Sequence, residues 1–261
     1  MKRQNLYILI TIVITSYLQL ACTEGSTTQT LAPKASSEEI AATRSSADEL
    51  FAQRTDLGKL REAITLLERV RDPEKRNYEV EFSFARHNYF LGRHTNDETE
   101  AEKAFAAGRD AAKIAANLEP GKPEGHFWFG ANLGELCKKS PVTVGLANVG
   151  DVREAMHKVI EIQPGYQGAS AYDVLAQIEL ATRMNSGTAE KAVEYLNKAL
   201  EIEKDNSNIY LHLGEAYLAL NKDAEAKKTL ETLLRLKPNP VFLPEHNESV
   251  DAARKLLATK F

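Results

Sequence analysis

The stretch YLHLGEAYLALNKDAEAKKTLETLLRLKP, residues 210–238, decides the fold. Its apolar residues recur at spacings of three and four, the signature of one buried face on a helix. Two amphipathic helices follow, packed antiparallel. Gly214 and Ala226 are small enough to let them approach closely, while Tyr210, Leu213, Tyr217 and Leu230 fill the wedge beside that contact. Pro238 ends the second helix, because a proline cannot continue the hydrogen-bond ladder.

Upstream the same arrangement returns. Ala192, Leu196 and Ala199 stand 34 residues before Ala226, Leu230 and Leu233, and Tyr172, Leu175 and Ala176 supply the preceding helix. Met184 to Thr188 lengthens the turn between them. A third pair runs from Glu124 to Ile162, with Phe129, Gly130 and Leu133 on one helix and Val152, Met156 and Val159 on the other. The expected connection between them, Lys138 to Val149, is long for such a unit. A fourth pair combines Phe84, Ala85 and Asn88 with an alanine-rich helix from Thr99 to Leu118, and Gly92 invites a helix end between His87 and His94. Capping boxes are expected at Ser46 to Glu49 and Thr99 to Glu102. A short pair, Ser46 to Arg54 and Leu57 to Val70, and a last helix from Glu245 to Thr259 would cover the two ends. Pro73, Pro120, Pro164 and Pro238 punctuate the series. This punctuation and spacing resemble the tetratricopeptide repeat (TPR). The predicted fold is all-α: about four helical-hairpin pairs plus capping helices over residues 45–261, curved into a solenoid with a concave groove or central pore.

The N-terminus is built differently. Lys2 and Arg3 precede an apolar run, Leu6 to Ile14, and Ala21 precedes Cys22, the layout of a secretory signal. Leu20, Ala21 and Cys22 resemble a bacterial lipobox, with Gln19 departing from the usual pattern; an ordinary signal or an uncleaved anchor are the alternatives. The expectation is a signal at 1–21, lipidation of Cys22, and a flexible tether over 22–44 whose Thr, Ser, Gln and Pro content cannot bury a core. Cleavage leaves 31 basic against 37 acidic residues, a net −6 that gives no reason to expect nucleic acid as partner. With Cys22 acylated, Cys137 has no cysteine to pair with and is expected as a small buried hydrophobe. Thr23 supplies no inner-membrane retention signal, so a lipid anchor on the periplasmic side of the outer membrane is expected for a Gram-negative envelope.

Chemistry is sparse. The histidines His87, His94, His126, His157, His212 and His246 are scattered without metal-ligand spacing, and no nucleophile elbow, phosphate loop or dinucleotide glycine motif occurs. No enzyme, metal or cofactor is expected. The repeat register instead places Glu79, Phe82, Arg86 and Tyr89, then Phe127 and Ala131, then Asp173 and Gln177, then Leu211 and Glu215 on the concave face. Trp128, the single tryptophan, and Asn132 lie beside that row. Phe82, Arg86, Tyr89, Phe127, Trp128, Asn132, Asp173 and Gln177 are the candidate ligand- or partner-binding residues. A core role for Trp128 and a helix–helix hydrogen bond from Asn132 are the competing explanation.

Three segments, Ala47 to Arg54, Gly125 to Gly134 and Val152 to Tyr166, together resemble the TatT-type lipoproteins associated with tripartite ATP-independent periplasmic (TRAP) transporters. That resemblance implies a lipid-anchored periplasmic repeat protein that docks the transporter's solute-binding protein and receives an apolar or amphipathic organic acid from it. No catalytic residues or cofactors are implied. A general TPR scaffold lipoprotein in envelope assembly is the alternative, and a homo-oligomeric state is left open.

Overall fold

A computed structural model describes residues 35–261, which form one compact unit. The signal 1–21, Cys22 and the tether up to residue 34 lie outside the described residues. The described chain is helical, in antiparallel pairs: α1 (Ser37–Phe51) with α2 (Leu57–Arg69), α3 (Tyr78–His94) with α4 (Glu98–Leu118), α5 (Pro123–Lys139) with α6 (Leu146–Ile162), α7 (Tyr166–Ala181) with α8 (Ala189–Ile202), and α9 (Ser207–Ala219) with α10 (Asp223–Leu233). A last helix, α11 (Leu243–Lys260), covers the end of the stack. Each odd-numbered helix also packs on the next odd-numbered one, so these helices form the inner wall of a TPR-like solenoid.

Side-chain caps set the helix starts. Ser36, Asp56, Asn77, Asp97, Thr188 and Asn206 each accept a hydrogen bond from a first-turn amide. The capping boxes expected at Ser46 and Thr99 are therefore displaced. Ser46 lies inside α1 and its hydroxyl donates to the Ala42 carbonyl at 3.1 Å. The Asp97 carboxylate takes the amide of Thr99 at 2.9 Å, which moves the start of α4 upstream. Helix α1 also begins at Ser37, within the segment expected as tether.

Two further expectations are corrected. The long Lys138–Val149 connection does not exist: α5 runs to Lys139, and a single π-helical turn, Pro141–Gly145, leads into α6. Nor does Gly92 end a helix. It sits within α3, where a Cβ would stand 2.6 Å from the Phe105 ring, so the glycine admits that ring between α3 and α4. Gly214 plays the close-packing role expected of it, but against Leu230 rather than Ala226; its Cβ would meet the Leu230 side chain at 2.7 Å.

The core is continuous along the stack. Its largest part joins α1 to α7 through residues such as Leu67, Phe84, Trp128, Met156 and Leu175, all buried. Leu196, Ile209 and Leu213 continue it between α7 and α9. Leu211, Leu230, Leu233 and Ala253 then seal α11 onto the last pair.

Candidate functional site

The inner wall divides into an aromatic half and a polar half. In the aromatic half, Trp128 on α5 is surrounded by Tyr89 at 5.5 Å, Phe90 at 6.2 Å and Phe127 at 5.0 Å between ring centroids, and Phe127 meets Tyr166 of α7 at 5.3 Å. Phe82 stacks obliquely on Tyr78 at 5.1 Å. Arg86 lies over the Phe51 ring at 4.4 Å and pairs with Asp48 of α1. A guanidinium over a π face beside a carboxylate is well stabilised. It is also charge-balanced, so a ligand carboxylate would compete with Asp48.

Trp128 is 3% and Asn132 0% exposed, so both lie within the wall rather than on it. The Asn132 amide nitrogen donates to the carbonyls of Trp128 at 2.8 Å and Ala85 at 3.2 Å, tying α5 to α3. Gly108 of α4 makes room, since a Cβ there would run into the Asn132 carbonyl oxygen. Phe82, Arg86 and Tyr89 are half-buried.

Buried side-chain polar atoms without a hydrogen-bond partner concentrate here. Among the described residues they include Ser83 Oγ, Arg86 Nε, His87 Nδ1 and Asn132 Oδ1, on α3 and α5, while the Trp128 indole meets the Tyr166 phenol. The Tyr166 phenol neighbours Trp128 and Arg86, and burial pushes it up to about 12, so it stays protonated. His87 stacks on Phe51 at 4.4 Å, and burial, aided by Arg86, holds its imidazole well below the ordinary range and neutral.

The polar half is an internally paired seam. Lys138 of α5 donates to Glu135 at 2.9 Å and to Gln177 of α7 at 3.2 Å. Gln177 donates to Asp173 at 3.1 Å, and Asp173 pairs with His212 of α9 at 2.6 Å. Burial pulls the His212 imidazole down, but the charge and hydrogen bond of Asp173 outweigh it, with Glu215 adding, and the net shift is upward. His212, not Leu211, faces inward; Leu211 is buried in the α9–α11 core. Asp173 and Gln177 thus meet protein partners, and they stand apart from the aromatic group.

The seam continues to α11. Arg93 of α3 reaches Glu135 at 3.9 Å and Glu248 of α11 at 3.8 Å. Asp48, Phe51, Tyr166, His212 and Glu248 were not among the sequence candidates. Asp48 and Phe51 lie in the Ala47–Arg54 segment and Tyr166 closes the Glu161-Ile-Gln-Pro-Gly-Tyr166 junction, whereas His212 and Glu248 had no local signal.

Among the described residues no group of three or more His, Cys, Asp or Glu side chains could hold a metal ion, and no helix is long and apolar enough to cross a membrane. Cys137 is a free, half-buried thiol whose Sγ lies 3.8 Å from the Val144 carbonyl, and burial pushes it up.

These features define an all-α, TPR-like helical-repeat protein. Comparisons with known proteins agree at that level. A family model described as tetratricopeptide repeat matches residues 183–242, and one described as regulator of microtubule dynamics protein 1-3 matches residues 44–172. The second stretch contains the three segments that resemble the TatT-type lipoproteins. A search of curated proteins finds no match. Among solved structures, a thermophilic TPR protein of Thermus thermophilus is similar with a TM-score of 0.58 at 18% identity, covering 81% of this chain and 98% of that one. The MamA protein gives 0.49 at 14% identity, covering 86% and 97%. At these identities the likeness is one of fold, and a TPR-like scaffold fits interaction with other proteins.

Proposed function

We propose that this protein is a lipid-anchored envelope docking component whose aromatic inner wall receives a partner segment or an amphipathic ligand. The carrying observation is the row of half-buried side chains that the inner wall presents, Phe82, Arg86 and Tyr89 on α3 with Tyr166 on α7. Phe82, Tyr89 and Tyr166 supply contact area with little rotamer entropy to lose, backed by the buried Phe127. Arg86 supplies directional donors once its bond to Asp48 is shared or exchanged. In this reading the anchor is Cys22, facing the periplasm from the outer membrane, and the partner is the solute-binding protein of a TRAP-type transporter. A general TPR scaffold for envelope proteins is the second reading, supported by the tetratricopeptide-repeat match over residues 183–242. No catalytic step belongs to either.

Affinity capture from the protein's own membranes, run with wild type, Arg86→Ala and Tyr89→Ala, tests the site. The expected result is a partner recovered by wild type and lost by both variants while each still folds cooperatively, melting temperature being read alongside; full recovery by both folded variants would remove the inner wall from function. A solute-binding protein in the eluate selects the transporter reading, and other envelope proteins select the scaffold. Metabolic labelling with a fatty-acid analogue tests the anchor: label on wild type but not on Cys22→Ala is expected.

A further inference from the structure

The far ends of the solenoid meet. Arg54, in the turn after α1, donates to both carboxylate oxygens of Glu245 on α11, at 3.0 and 2.9 Å, and to the Val241 carbonyl at 2.7 Å. His94, the last residue of α3, reaches Glu248 at 2.7 Å, and Arg93 reaches the same carboxylate. Among the described residues no Cα of α11 comes within 8 Å of a Cα of α1, α2 or α3. The closure is therefore made by side chains reaching across, to carboxylates and one backbone carbonyl, around a cavity of about 260 Å³ between the turn at Arg54 and the start of α11.

We propose that this clasp is a pH-sensitive gate on the concave wall, closed when His94 is an imidazolium and loosened when it is neutral. The regulation rests on the reading of that wall as the binding site, whereas the gate itself does not. The geometry of His94 carries it. Its Nδ1 stands 2.7 Å from the Phe90 carbonyl oxygen and its Nε2 stands 2.7 Å from a Glu248 oxygen. An ionised carboxylate and a carbonyl only accept, so only the doubly protonated ring donates to both at once.

The charged groups around the ring are Glu248 from α11 and Arg93 from its own helix, with Glu245 of α11 and Arg54 of the α1–α2 turn lining the same cavity. The Glu248 hydrogen bond, against some burial and with help from Phe90, raises His94 above its ordinary 6.5. The same bond, with His94 and Arg93 charge, holds Glu248 below its ordinary 4.5. For a raised histidine the stabilisation is complete below 6.5 and lost as pH climbs through the folded value; for a depressed carboxylate it is present above 4.5 and lost on acidification through its folded value. The clasp is thus tightest between about pH 4.5 and 6.5 and loosens on the alkaline side.

Release would change access to the wall, because Arg93 links α11 to Tyr89, whose hydroxyl it meets at 3.3 Å. A place to absorb the motion lies midway. Gln167, Gly168 and Ala169 at the start of α7 all have left-handed backbone angles, φ 51°, 63° and 60°. Element-terminal residues with unusual backbone angles are where hinge changes are absorbed.

Nitroxide labels on ketone-bearing residues introduced at the exposed positions 53 and 247 of the full chain read the gap directly, leaving the cysteines untouched. At pH 6 a single short distance is expected; at pH 8.5 a longer population should grow several-fold. Arg54→Ala should show the long population at both pH values, Arg54→Glu with Glu245→Arg should restore the short one, and His94→Gln should abolish the pH dependence. One short distance at both pH values, or a pH dependence that survives His94→Gln, would overturn the gate. Partner capture unaffected by Arg86→Ala and Tyr89→Ala, with the distances behaving as expected, would sink the binding reading and leave the gate standing.

Discussion

Gly214 shows what one residue controls. The approach of α9 to α10 leaves no space for a Cβ against Leu230, so Gly214→Leu should overpack the last pair and cost about 1 to 3 kcal/mol, read as a lower midpoint in urea. A midpoint equal to wild type would contradict the register. Glu179 is the polar counterpart: 1% exposed, it binds Arg153 at 2.5 Å, Lys191 at 3.3 Å and the Thr188 amide at 3.2 Å, stapling α6, α7 and α8. Burial pushes its carboxyl up, but Arg153 and Lys191 outweigh that and hold it below the ordinary range. Glu179→Ala leaves the Thr188 amide without its acceptor, while Arg153 and Lys191 are exposed enough to rehydrate, and should cost about 1 to 3 kcal/mol. In wild type the stabilisation from this carboxylate is present above pH 4.5 and is lost on acidification through its folded value, so the variant's deficit should shrink at low pH.

Among the elements, α7 breaks a rule that the others keep. Its first turn is left-handed, and it is held there by Asn206, whose side-chain amide donates to the Gly168 carbonyl at 2.7 Å. A left-handed non-glycine residue costs about 1 to 2 kcal/mol. Gln167→Gly should therefore raise the melting temperature by several degrees, and Asn206→Ala should lower it; an unchanged midpoint for Gln167→Gly would mean the turn is not strained. Helix positions themselves were legible in the sequence, since the apolar spacing of 192–238 and the prolines fix where helices can run. The boundaries were less so. Ser46 and Thr99 satisfy a capping pattern, yet Ser36 and Asp97 do the capping, because the residue that wins is the one whose upstream backbone is free to turn, and that depends on packing.

At the scale of the molecule, α11 both seals and closes the stack. It covers Leu211, Leu230 and Leu233 and carries both carboxylates of the clasp. Deleting residues 243–261 should expose that apolar face, lower the melting temperature of the whole domain and promote association, measurable by light scattering. A truncated chain as stable and monodisperse as the full one would show the helix to be dispensable. The sequence by itself determined the all-α repeat, the order of helix pairs and the aromatic character of the inner wall, because these follow from local spacing and residue size. Only the tertiary structure decided that Arg86 is held by Asp48, that Asp173 meets His212, and that Arg54 and His94 clasp α11. Those contacts join residues 38, 39, 191 and 154 positions apart. The first two depend on how neighbouring inner helices dock, and the last two on the small rotation between successive pairs accumulated around the solenoid, which no local pattern records.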